Sequence, residues 1–122
     1  MTTALLVAAG AAVGAPVRFL VDRWAKAHLR RGVVWGTLAV NVVGSFVLGW
    51  AAARDAVGAT PGWVLPLVGV GFCGALTTFS TLAYETWAML REPDDRRAGL
   101  VNLALNLLLG GLAVTLGWWL GG

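Results

Sequence analysis

Gly74-Ala75-Leu76-Thr77-Thr78-Phe79-Ser80-Thr81 lies inside an apolar run that reaches from about Trp63 to Leu90. The run is long enough to cross a bilayer, which takes about 20 mostly apolar residues in a helix. Yet Thr77, Thr78, Ser80 and Thr81, together with Gly69, Gly71 and Gly74, are dense enough to loosen that helix midway. Carbonyls freed by such a break have no water to turn to in lipid and must be satisfied by protein or by an ion. A bound cation is one solution, as in the discontinuous helices of transporters. The octet holds no acid, so carbonyls would have to do the coordinating. The reading is an all-α integral membrane protein whose third helix is broken mid-membrane.

Working outward, three further windows have spanning length: about Thr3 to Leu20, about Val33 to Ala53, and about Leu100 to Leu120. The 122 residues thus read as a single four-span membrane domain. Composition agrees: 58% of the residues are hydrophobic, 12% are charged, and the mean hydropathy is +0.77. So few charges would be thin cover for a water-soluble surface of this size. The first window has small residues but no basic segment ahead of it, and Arg18 lies inside it; it reads as a retained span rather than a signal peptide. Of the seven tryptophans, Trp24, Trp35, Trp63, Trp118 and Trp119 fall near span ends, where indoles anchor at the headgroups. A lone histidine, His28, and a lone cysteine, Cys73, make neither a zinc spacing nor a disulfide.

The connectors orient the chain. Arg23, Lys26, Arg30 and Arg31 lie in the first and Arg91, Arg96 and Arg97 in the third, against Arg54 alone in the second. Basic loops stay cytoplasmic, so both termini are expected on the extracytoplasmic side of the cell membrane.

Polar residues within spans are expensive and therefore informative. Arg18 either snorkels to the interface or pairs with a neighbouring helix. Asn41 shares a small, polar helix face with Gly44, Ser45 and Gly49, which suits a pathway or helix–helix contact. Gly10 and Gly14 form another small pair. Asn102 and Asn106 stack on the fourth span, and Gly110 continues their line. Phe79 presents a ring whose edge carries partial positive charge, although ordinary packing is the commoner reason for a phenylalanine. Glu85, about a turn beyond Thr81, would lie near a vestibule or pair with an arginine.

Two long motifs carry a resemblance. Gly36-Thr37-Leu38-x-Val40-Asn41-x-x-Gly44-Ser45-Phe46-x-x-Gly49, and Gly71-Phe72-Cys73-Gly74-Ala75-Leu76-Thr77-Thr78-Phe79-Ser80-Thr81 with Glu85, resemble the second and third spans of the CrcB/Fluc fluoride channels. Gly14-Ala15-x-x-Arg18 is similar to their first span. The resemblance implies an inverted, antiparallel dimer with two fluoride pathways along its interface and fluoride export down its gradient. It implies a central structural sodium ion on the backbone carbonyls of Gly74 and Thr77. Asn41, Phe79, Ser80, Thr81 and Asn106 match pathway positions. Fluoride is strongly hydrated, and N–H, O–H and ring edges are the groups that offset its dehydration.

The chain departs from the family pattern at Leu82, where a second phenylalanine is frequent, and at Gly110, where a hydroxyl is common. Those departures, with the lopsided Lys/Arg count, point to an oppositely oriented paralogue as an alternative to self-pairing. A small four-span drug/proton antiporter is the competing class; it needs an embedded carboxylate, and the first window has none. A non-conducting membrane subunit is the third. No nucleophile–base pair, phosphate loop or metal cluster suggests an enzyme.

Overall fold

Apolar side chains without charge interruption dictate helices here, and in the computed structural model all regular structure among the described residues, 1–29 and 34–122, is helical. The elements are α1 (Thr2–His28), α2 (Trp35–Ala56), α3 (Leu65–Cys73), α4 (Gly74–Leu76), α5 (Phe79–Arg91) and α6 (Arg96–Gly121). Four stretches are long and apolar enough to cross a membrane: α1, α2, the third stretch Leu65–Arg91 spanning α3 to α5, and α6.

The helices outrun the apolar windows. α1 continues past Leu20 through Asp22, Arg23 and Lys26 to His28. Charge ends a hydrophobic window but not a helix, since Ala, Lys and Arg are good helix formers. Lys26 Nζ donates to Asp22 Oδ2 at 2.7 Å across one turn, and Lys26 and His28 sit at the favourable C-terminal end. α6 likewise begins at Arg96 rather than Leu100. The expected start of the second span, Val33, lies outside the described residues; α2 itself starts at Trp35.

Glycines set how closely these helices meet. A Cβ on Gly10 would strike the Leu67 carbonyl and lie 2.7 Å from the Phe72 nitrogen; one on Gly71 would lie 2.6 Å from the Val7 carbonyl. α1 and α3 therefore touch backbone to backbone, the arrangement small residues permit in membranes. The α2–α6 seam is built the same way. Gly49 abuts Val114, Gly117 abuts Phe46, and a Cβ on Gly121 would be 2.7 Å from the Trp50 carbonyl.

α3 is wound as a π-helix, one residue wider per turn than α. Its Gly69 and Gly71 are buried where α3 meets its neighbours. α1 and α2 both pack on α3, α2 packs chiefly on α6, and α5 packs chiefly on α6. Many large apolar side chains point outward, which suits lipid as the solvent. Trp24, Trp35, Trp63, Trp118 and Trp119 are all exposed.

Candidate functional site

The third stretch is interrupted at two residues. Thr77 (φ −75°, ψ 156°) and Thr78 (φ −151°, ψ 126°) are both extended, and helix resumes at Phe79. The first half ends tightly, because Thr77 donates both its N–H and its Oγ1–H to the Cys73 carbonyl at 2.9 Å. The second half starts with a cap: the Thr78 hydroxyl accepts from Thr81 N–H at 3.2 Å. Thr78 itself loses its helical partners. In a continuous helix its N–H would close on the Gly74 carbonyl.

Asn41, from α2, takes over. Its Oδ1 accepts from Thr78 N–H at 2.8 Å, and its Nδ2 donates to the Thr78 carbonyl at 3.2 Å. Nδ2 also donates to Asn106 Oδ1 at 2.8 Å. Asn106 Nδ2 in turn donates to the Asn102 carbonyl at 2.9 Å and to Asn102 Oδ1 at 3.3 Å. At the far end Asn102 Nδ2 approaches Thr86 Oγ1 at 3.5 Å, the long limit of such a bond. The direction of every amide follows from the backbone at the two ends. Thr78 N–H only donates and the Asn102 carbonyl only accepts, so Asn41 and Asn106 have one consistent orientation each.

The expected small face of α2 is divided among three neighbours. Gly44 lies against the Thr77 methyl and Gly49 against α6, while Asn41 and Ser45 line an open groove of about 400 Å³. Asn106, Thr77, Thr78, Phe79 and Leu82 also border that groove. Gly110 and Gly111 border it without filling it: a Cβ on Gly110 would meet only Ser45 Oγ, at 3.8 Å, and one on Gly111 nothing. Phe79 is 76% exposed, and Ser80 beside it is exposed too. Leu82, by contrast, is 4% exposed.

Thr78 also borders a second, smaller cavity of about 190 Å³, reached between α1 and α2 and lined by Arg18, Asp22, Thr37 and Thr81. The break is therefore the wall common to both hollows. Arg18 Nη1 lies 3.5 Å from the Thr77 carbonyl, so its guanidinium serves the end of the first half-helix. Among the described residues the one ion pair is Lys26–Asp22, so neither Arg18 nor Glu85 has the ionic partner that was one of the expectations. Glu85 faces Thr37, but both of its buried carboxylate oxygens lack a hydrogen bond of good geometry. α1 as folded does include a carboxylate, Asp22, which the apolar window left out; its Oδ2 is held by Lys26.

Gly74 is the first residue of α4, and Thr77 follows its last as the first residue of the break. Gly74 is exposed, with open space where a Cβ would stand. Thr78 and Thr86 are the polar partners that sequence reasoning passed over. Thr78 had a local signal, a hydroxyl three residues before Thr81 at a helix start. Thr86 had none beyond being a hydroxyl in an apolar run.

The family described as "CrcB-like protein, Camphor Resistance (CrcB)" matches residues 5–118. The chain belongs to the CrcB family. Similar CrcB relatives include "Fluoride-specific ion channel FluC 1" of Frankia casuarinae, 44% identical over 93% of this chain and 91% of the relative. "Fluoride-specific ion channel FluC" of Thermus thermophilus is 40% identical over 97% and 92%. "Fluoride-specific ion channel FluC 1" of Geobacillus kaustophilus is 42% identical over 99% of each chain. These relatives are named as channels, not enzymes. CrcB membership and four apolar helices together make this a multi-pass membrane protein.

Proposed function

We propose that the chain forms a fluoride-selective channel that lets fluoride leave the cell passively, down its electrochemical gradient, and so relieves fluoride toxicity. The observation that carries this reading is the break at Thr77–Thr78, braced by Asn41 and bordering both hollows. The relatives' names supply the ion. Passive movement needs a lined path rather than a catalytic set: Asn41, Phe79 and Asn106 line the groove, Thr81 lines the smaller cavity, and the exposed Ser80 lies beside Phe79. Arg18 lines the smaller cavity on the α1 side, the vestibule of this reading, and Glu85 faces Thr37 at its wall.

A groove this open on one chain calls for a second wall. The reading supplies it with an antiparallel partner, so that the exposed Phe79 rings meet across an interface and the break lies mid-membrane. The seven-to-one Lys/Arg bias places both termini outside the cytoplasm and favours a paralogue of opposite orientation over a second copy.

A structural sodium ion fits the residues present. The donor that would occupy the Gly74 carbonyl is given to Asn41 instead, and the position beside Gly74 is open. The Thr77 carbonyl keeps a lone pair beside the Arg18 contact. Gly74 and Thr77 would hold the ion, which when bound supplies positive charge near a path for an anion. The test is fluoride efflux from liposomes holding the purified chain, alone and with its paralogue. Efflux with fluoride but not chloride is the expected result; no efflux under either condition would sink the channel reading.

A further inference from the structure

Asn102 is fully buried and does not border the groove, yet it ends the amide chain that reaches the break. Hydrogen-bond counting along that chain is restrictive. Asn41 has two N–H donors; one goes to the Thr78 carbonyl and one to Asn106 Oδ1. Asn106 has two, and both are directed at Asn102, at its carbonyl and its Oδ1. Neither amide has an N–H left for an anion.

The hydroxyls of α5 differ. Thr78 Oγ1 accepts from Thr81 N–H and gives its one proton to Thr81 Oγ1 at 3.1 Å. Thr81 thereby keeps its own proton free, whereas the exposed Ser80 hydroxyl, 3.3 Å from Thr78 Oγ1, is left to donate to it. The free donor, the Thr81 hydroxyl, is on the break's C-terminal side, and the amides hold the break in the shape that presents it.

We propose that Asn102 is a positioning residue: acting through Asn106 and Asn41, it holds Thr78 out of the helix, leaving the Thr81 hydroxyl as the donor to the permeating anion. Its effect on flux rests on the channel reading above; its effect on Thr78 does not. Without the Asn102 side chain, one Asn106 N–H loses its acceptor and the amide is free to turn. Turning it would remove the oxygen that Asn41 donates to, and Asn41 would release Thr78.

The experiment compares the full chain with Asn102→Leu and Asn106→Leu, reading amide exchange at Thr78 by NMR of threonine-labelled protein in micelles and fluoride efflux from liposomes. One lost buried hydrogen bond corresponds to about a tenfold change, so Thr78 exchange is expected to quicken about tenfold in Asn102→Leu and further in Asn106→Leu. Asn102→Asp, which keeps an acceptor in place, restores slow exchange relative to Asn102→Leu at the same pH. Efflux falls as Thr78 exchange quickens. Should Asn102→Leu not fold, Thr86→Val cuts the same chain from its far side and is read in the same way. Folded variants with unchanged Thr78 exchange overturn the inference. A parent chain that passes no fluoride would defeat the channel reading alone, because Thr78 exchange is measured without it.

Discussion

Asn41 and Thr78 are joined twice: the side-chain carbonyl of Asn41 receives the Thr78 N–H at 2.8 Å, while its amino group reaches the Thr78 carbonyl at 3.2 Å. One residue of α2 thus replaces, for one residue, the helical bonds that the third stretch gives up. Asn41→Ala leaves both Thr78 groups without a partner. At about 1–3 kcal/mol for each buried polar group so stranded, the variant is expected to melt well below the parent in detergent and to pass little fluoride.

Asn41→Asp is a sharper version. A carboxylate still accepts from Thr78 N–H but faces the Thr78 carbonyl and Asn106 Oδ1 without a donor for either. Fluoride efflux should fall at neutral pH and recover partly as pH is lowered and the carboxyl gains a proton. Efflux from liposomes across a pH series checks this; a flat profile would speak against the clamp.

Phe79 and Leu82 should separate function from stability. Phe79 is exposed, so Phe79→Ile is expected to lower efflux with little change in melting. Leu82 is 4% exposed and packed on all sides but the groove, so Leu82→Phe must enlarge a buried side chain and is expected to lower stability by up to about 1–3 kcal/mol unless the ring turns into the groove. The pair of melting curves decides it.

Gly10→Ala tests the α1–α3 contact. The added methyl would meet the Leu67 carbonyl, a backbone atom that cannot swing aside, and a loss of about 1–3 kcal/mol follows. Gly62→Ala, where a Cβ meets nothing within 4 Å, is the matched control and should leave melting unchanged.

Orientation is readable because Cys73 is buried and is the chain's one cysteine. Ala59→Cys and Asp94→Cys place thiols at exposed positions in the second and third connectors. Impermeant reagent on whole cells should label Cys at 59 and spare Cys at 94. Equal labelling of both would show dual insertion and favour self-pairing over the paralogue.

Much of this is legible in the sequence. The clustered glycines and hydroxyls at 69–81 marked a place where helix is weak, and Thr77 and Thr78 are extended within it. Asn41 was conspicuous as an amide in an apolar span. What the amide does was not legible, because its partner is 37 residues away and depends on which helices abut. The length of α1 was underestimated because hydropathy falls at Asp22 and Arg23 while helix propensity does not. The ionic partners weighed for Arg18 and Glu85 are chosen by side-chain reach in three dimensions, which spacing along the chain does not encode.

The glycine notches between α2 and α6 have a mechanical consequence. Val114 against Gly49, Phe46 against Gly117 and Trp50 against Gly121 lock the two helices lengthwise, since a slip of one turn would bring main chain onto side chain. α2 and α6 then move as one strut. Sliding of α2 along α6 is thereby opposed, and with it any lengthwise shift of Asn41, on one, relative to Asn106, on the other. Whatever flexing occurs falls to α5, which leans chiefly on α6 and is tied to the rest of its own stretch by two extended threonines. The weakest joint in the third stretch is thus fastened to the stiffest pair in the molecule.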